Sequence, residues 1–198
     1  ADFDGDGSRS WLAGNKQMVK GQLHVFLLDD KGHLVETDTV KLLETIEGYK
    51  YLGMSGVPSL PLGIWDHPKE NLLYVGFVTR NELGVYRYNS EGKLRFVTTV
   101  PNSGQDICWV LTNKAGTRLY TVNNLPRADM KDESSTVSVY DISEERAQKP
   151  VEIGRLRLPL PGSWFVNNRM IRQPGSTAFQ MDLDPTESFL YIVSQRIN

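Results

Sequence analysis

The feature that most constrains this chain is that it repeats itself. Residues 24–40 (HVFLLDDKGHLVETDTV) align without a gap on residues 84–100 (GVYRYNSEGKLRFVTTV), at an offset of 60 throughout. Val25 falls on Val85, Gly32 on Gly92, Leu34 on Leu94, Thr39 on Thr99 and Val40 on Val100, with Phe26 opposite Tyr86. Each copy reads as strand, tight turn, strand. The turns Asp29-Asp30-Lys31-Gly32 and Asn89-Ser90-Glu91-Gly92 end on the glycine whose positive φ such a hairpin demands.

A second hairpin recurs three times, at Ile64–Val75, Val110–Val122 and Met181–Val193. Its tyrosines Tyr74, Tyr120 and Tyr191 each follow Pro68, Lys114 or Pro185 by six residues, which predicts equivalent places on the second strand of successive units. Joined in order, the two hairpins make a four-stranded antiparallel unit of about 45 residues, the size of a propeller blade. A β-sandwich of similar hairpins is the alternative, although a sandwich has no reason to repeat a four-strand register. The rest of the chain agrees with an all-β reading, since Gly, Pro, Asn or Asp interrupts every apolar run. Residues 38–46 and 141–149 come nearest to helical spacing and predict one or two turns each.

The predicted fold is therefore an all-β propeller arc of about three to three and a half blades. It divides into a partial blade over 1–42, blades over 61–101 and 107–159, and a partial blade over 175–198, with thirteen strands in all. The partial blade at the start takes its strands from residues 10–15, 22–28 and 33–41. Propellers close with about four to eight blades, so the remaining blades are expected from a longer chain or another copy.

Composition narrows the function. Lys and Arg number 22 against 24 Asp and Glu, without the basic excess that a phosphate backbone demands, so nucleic acid is excluded as the expected partner. No apolar run reaches the length of a membrane span, and the start Ala1-Asp2-Phe3-Asp4 lacks a basic n-region. The expectation is a soluble chain whose targeting signal is missing or already removed. Its compartment stays open, because the lone Cys108 cannot form an internal disulfide.

The repeat also sorts the connections. The short turns His67–Asn71, Asn113–Thr117, Asp184–Ser188, Asp29–Gly32 and Asn89–Gly92 fall on one face, and the long connections 43–60, 123–135 and 159–177 fall on the other. Long loops on a rigid scaffold carry binding or catalysis more often than the scaffold does. Residues 159–177 bring together Trp164, Phe165, Asn167, Asn168, Arg169 and Arg172, and residues 123–135 add Arg127, Asp129 and Lys131. Gln105 and Asp106 enter an inner strand near the central channel. The plainer reading is a charged rim that keeps the surface solvated.

Other chemistries lack support. His24, His33 and His67 are isolated, without the close spacing of a metal cluster, and His67 reads as a surface turn residue. Gly53-Met54-Ser55-Gly56-Val57 misses the G-x-S-x-G elbow by one residue. Cys108, beside Trp109 on an inner strand, reads as a buried inert thiol. Neither a P-loop nor a dinucleotide fingerprint occurs, so no organic cofactor is expected.

Two resemblances follow from these residues. Asn71-Leu72-Leu73-Tyr74-Val75-Gly76, Cys108-Trp109-Val110-Leu111-Thr112 with Gly116-Thr117-Arg118-Leu119-Tyr120-Thr121-Val122-Asn123, and Leu183-Asp184-Pro185 with Phe189-Leu190-Tyr191-Ile192-Val193 resemble the blade signature of lactonase-like seven-bladed propellers. That group holds 6-phosphogluconolactonase-type enzymes, carboxymuconate cyclase-type enzymes and the surface-layer YVTN propellers. The resemblance covers about residues 10 to 198 and rests on the strand framework. It implies a hydrolase or cycloisomerase that opens or closes a lactone of a small anionic metabolite. Arg169, Arg172 and Asp106 are then the expected catalytic residues, and Trp164, Arg127 and Gln105 the expected substrate contacts. Against this stands a non-catalytic binding module or protein scaffold on the same fold.

Asp2-Phe3-Asp4-Gly5-Asp6-Gly7 followed by Trp11-Leu12-Ala13-Gly14-Asn15 is similar to the calcium loop of FG-GAP propeller repeats, and its first six residues also fit an EF-hand loop. Ser10 stands where the FG-GAP pattern has a further Asp, and Ala13 where an EF-hand has its bidentate Glu. The expected ion is a structural Ca2+ held by Asp2, Asp4 and Asp6, on the short-turn face; the alternative is a solvated acidic tail.

Overall fold

A computed structural model describes residues 22–41, 61–78, 81–125, 135–158, 164–166, 169–171 and 178–194. Among them are fourteen β-strands, one 3-10 turn at Glu144–Ala147 and no α-helix, and no helix is long and apolar enough to cross a membrane. Strands β1 (Gln22–Leu28) and β2 (Leu34–Lys41) form a hairpin. Strands β3 (Pro61–Asp66), β4 (Leu72–Phe77), β5 (Glu82–Tyr88) and β6 (Leu94–Pro101) form one four-stranded antiparallel meander. Strands β7 (Gln105–Thr112), β8 (Arg118–Leu125), β9 (Thr136–Asp141) and β10 (Val151–Arg157) form a second. Two further hairpins follow, β11 (Trp164–Val166) with β12 (Arg169–Ile171), and β13 (Ala178–Leu183) with β14 (Leu190–Ser194).

The repeat extends to the hydrogen-bond register. Trp65 pairs with Tyr74, Leu111 with Tyr120 and Asp182 with Tyr191, so the three tyrosines do occupy one position of the inner hairpin. Each of these hairpins closes in the same way: His67 N–H donates to the Leu72 carbonyl, Asn113 N–H to that of Arg118, and Asp184 N–H to that of Phe189. The outer hairpins share a bulge. Val25 faces Asp38 while Phe26 faces Glu36, skipping Thr37; Val85 and Tyr86 skip Val97, and Val139 and Tyr140 skip Ile153. A bulge bends its strand and deepens the twist, and three at one position give every outer hairpin the same curvature.

The turns owe their shape to one side chain each. Asp29 Oδ1 accepts the Lys31 and His33 amides at 2.8 Å, and Asn89 Oδ1 accepts those of Glu91 and Lys93 at 3.1 and 2.8 Å. On the inner hairpins, Asn113 Oδ1 accepts Thr117 and Arg118 N–H, each at 2.9 Å, and Asp184 binds the amides of Thr186 and Phe189. His67 does the same work through Nδ1, accepting the amides of Lys69 and Glu70 at 3.2 and 3.0 Å. Its Nε2 faces the Gly116 carbonyl at 3.2 Å, so Nε2 is the ring nitrogen placed to donate. His67 is therefore buried rather than a surface residue, because the turn of the next sheet lies over it.

The sheets stack face to face in chain order. Leu73, Val75 and Phe77 pack with Leu23, Tyr86 and Phe96 toward β1–β2. Leu72 and Tyr74, on the opposite face of β4, pack with Ile107, Val110, Leu119 and Tyr140 of the next sheet. Leu111 and Val122 then meet Ala178 and Met181 of β13. Burying each such side chain contributes about 1.5–3 kcal/mol, so the seams between sheets are where the arc gains its stability. The inner strands lie close, since a Cβ on Gly63 of β3 would stand 3.0 Å from the Trp109 Cα of β7. The last inner hairpin turns Phe189, Tyr191 and Val193 outward, as befits a propeller arc.

Two further expectations change. Residues 159–177 are not a plain loop, because β11 and β12 pair within them. Of the helical candidates, 141–149 gives the single turn Glu144–Ala147, and the described part of 38–46 belongs to β2. The expected strand at 10–15 lies outside the described residues.

Candidate functional site

The connection from β6 to β7, Asn102-Ser103-Gly104, delivers Gln105 and Asp106 to the start of an inner strand on the face of the long connections. It is held from three directions. From the preceding sheet, Asn81 accepts the Asn102 N–H on its carbonyl at 2.9 Å and the Asp106 N–H on its Oδ1 at 3.0 Å. From β8 and β9, Asn102 Nδ2 donates to Asn123 Oδ1 at 2.8 Å, and the Tyr140 hydroxyl donates to Asn102 Oδ1 at 2.8 Å. Asn123 Nδ2 in turn donates to the hydroxyls of Thr136 and Ser138, both at 3.0 Å. From β10, Glu152 accepts the Ser103 amide at 2.8 Å and Arg155 donates to the Ser103 carbonyl at 2.7 Å. Gly104 lies so near the Asn123 amide that no Cβ fits there.

Asp106 is the residue this scaffold holds in an uncommon state. Its φ is +69°, a left-handed conformation that costs a non-glycine residue on the order of 1 kcal/mol. Its Oδ1 is buried and is the one buried side-chain polar atom without a hydrogen-bond partner among the described residues. Burial pushes its carboxyl up from 3.8 to about 7, so at neutral pH it is poised between acid and base. Gln105 beside it is buried as well.

The neighbouring chemistry is quiet. Burial, helped by the charge of Asp106, pushes the Cys108 thiol far up, so Cys108 is no nucleophile at neutral pH. Asn124 Nδ2 donates to the Ala178 carbonyl at 3.2 Å and ties β8 to β13. Among the described residues, no three His, Cys, Asp or Glu side chains gather to hold a metal ion.

Of the residues singled out from sequence, Gln105 and Asp106 are thus brought together on the expected face. Trp164 lies on β11 opposite Ile171, and Arg169 on β12 opposite Val166. Arg127, Arg172, Asp2, Asp4 and Asp6 lie outside the described residues. Asn81 was not anticipated. Its signal was an Asn between two strands, one of the few residue types that tolerates the left-handed φ of +50° seen here.

Solved structures share this fold. A protein from Lactobacillus plantarum aligns with a TM-score of 0.59 and 17% identity over 89% of this chain and 58% of its own. A candidate 6-phosphogluconolactonase from Bacteroides uniformis gives 0.54 and 12% over 89% of this chain and 48% of its own. The periplasmic gluconolactonase of Pseudomonas aeruginosa gives 0.53 and 14% over 88% of this chain and 37% of its own. This chain folds as an arc of a β-propeller similar to these structures. It spans between about a third and three-fifths of the solved structures it matches, so the arc corresponds to part of each. No family model matches the chain, and no curated protein matches it by sequence.

Proposed function

We propose that this propeller arc contributes to an enzyme that opens or closes the lactone ring of a small anionic metabolite, with Asp106 as the acid–base group. The observation that carries this reading is the buried carboxyl of Asp106 at the head of an inner strand, its Oδ1 without a hydrogen-bond partner and its titration poised near neutrality. The lactonases among the structural neighbours support the reaction class through fold alone.

In ring opening, the Asp106 carboxylate takes a proton from water as its oxygen forms a bond to the lactone carbonyl carbon. The protonated carboxyl then gives that proton to the ring oxygen as the acyl C–O bond breaks, leaving a hydroxy acid. Ring closure runs the same steps in reverse. Arg169 and Arg172 are proposed to grip the carboxylate or phosphate of the substrate, which a guanidinium binds bidentately, with Gln105, Trp164 and Arg127 along the substrate. A structural Ca2+ at Asp2, Asp4 and Asp6 belongs to the same proposal on sequence spacing, and a calcium-dependent rise in Tm that chelation reverses is its test.

The test of the reaction is Asp106→Asn, which keeps shape and removes the titrating proton. Measured by pH-stat on a panel of sugar-acid and muconate-type lactones, turnover should fall by about 100-fold or more while the fold is retained. Full turnover in the variant, or none of these lactones opened by the unaltered protein, would overturn the reading and leave a binding module on this fold.

A further inference from the structure

The strained backbone of Asp106 needs a cause, and the structure supplies one in the sheet before it. Asn81 holds both ends of the segment 102–106: its carbonyl takes the Asn102 amide at 2.9 Å, and its side chain reaches on to the Asp106 amide at 3.0 Å. Asn81 is itself left-handed, with φ +50°, and this directs the carbonyl and the side chain to two different amides of one connection. Two left-handed non-glycine residues joined by a side-chain hydrogen bond, across sheets and 25 positions apart, are more than a turn requires. The turns at 29–33, 89–93 and 113–117 each carry a cap from a side chain within their own loop. Asn81 instead acts on the head of the next sheet's inner strand.

We infer that Asn81 is a positioning residue: its side-chain oxygen locks the Asp106 backbone in the left-handed form that turns the carboxyl into its buried place, with Oδ1 unpartnered. This rests on the proposed role of Asp106 and deepens it, since the proton-transfer group would be set by the neighbouring blade rather than by its own. If the amide bond is lost, the Asp106 backbone can relax to negative φ and swing the carboxyl toward water. Asp106 acts electrostatically on the Cys108 thiol, which burial keeps protonated across the range concerned.

The experiment is a carboxyl titration by 13C NMR on the whole chain, with the Asp106 resonance assigned by its loss in Asp106→Asn. Asn81→Gly keeps the positive φ and the carbonyl bond to Asn102 while removing the side-chain oxygen, so the turn survives. The Asp106 midpoint should fall by more than about one pH unit toward the ordinary carboxylate range. Asn81→Asp restores an acceptor in the same place, and its added negative charge should keep the midpoint at or above the unaltered value. An unmoved midpoint in Asn81→Gly, or the same fall in Asn81→Asp, would overturn the inference and leave Asn81 a turn residue. If the midpoints move as expected while the unaltered protein opens no lactone, the positioning role stands and the lactone reading falls.

Discussion

The Tyr74 hydroxyl donates to the Ala147 carbonyl at 2.9 Å across the seam between two sheets. The same register position holds Tyr120 and Tyr191, yet the three differ in surroundings: Tyr74 is fully buried, Tyr120 partly so, and Tyr191 is 60% exposed. One sequence position thus does different work along the arc, depending on which sheet lies over it. Tyr74→Phe strands a buried carbonyl and should cost about 1–3 kcal/mol in chemical denaturation. Tyr191→Phe should leave the midpoint within about 0.5 kcal/mol of the unaltered protein. Equal losses at the two positions would show that the seam bond contributes nothing.

His67 caps its turn as Asn113 and Asp184 cap theirs, so an acceptor and not an imidazole is what the turn needs. His67→Asn should be tolerated within about 1 kcal/mol, whereas His67→Leu, which leaves two amides without an acceptor, should cost about 2 kcal/mol or more. Thermal melts of the pair decide it; a stable Leu variant would contradict the cap.

Glycine scanning separates close approach from mere flexibility. Gly104→Ala drives a methyl into the Asn123 amide and should displace the whole connection, lowering Tm by several degrees and moving the Asp106 titration. Gly154 has open space around its would-be Cβ, and a strand gains order from a side chain, so Gly154→Ala should hold or raise Tm. Matching Tm values in the two variants would remove the packing argument.

How much of this was legible in the sequence depends on how far each partner lies along the chain. The hairpins were, because alternation and an Asp or Asn at the turn are local signals, and the offset of 60 reappears as a shared bulge opposite Val25–Phe26 and Val85–Tyr86. The placement of Asp106 at the head of an inner strand followed from the same register. The burial of His67 did not, since its cover is the Gly116 carbonyl 49 residues away. Nor did Asn81, whose target lies in the next sheet, nor β11–β12, whose two three-residue strands are too short to carry a period.

Acid should reveal Asp141. The Ser143 hydroxyl and amide, then Arg146, hold its carboxyl down at about 2, below its ordinary 3.8. A carboxyl depressed on folding stabilises the fold above its ordinary value, and that contribution is lost as pH falls through the folded one. Asp141→Asn should therefore lower Tm at neutral pH and flatten the decline of Tm between about pH 4 and 2, which thermal melts across that range will measure.

Asp106 should act with the opposite sign. Its folded carboxyl titrates at about 7, above the 3.8 of an ordinary Asp, because burial disfavours the charge. Between those two values the folded state binds more protons than the unfolded one, so stability falls as pH rises through this window and levels off above it. The loss is at most about 4 kcal/mol, since each tenfold difference in proton affinity between the two states corresponds to about 1.36 kcal/mol. Asp106→Asn cannot ionise, and its stability should hardly change between pH 5 and 8 from this cause. The variant should therefore gain on the unaltered protein as pH rises, with the largest difference above neutrality. Paired urea titrations at several pH values measure that difference directly. A constant gap between the two proteins from pH 5 to 8 would mean that Asp106 ionises freely in the folded state, and the acid–base role proposed for it would lose its physical basis.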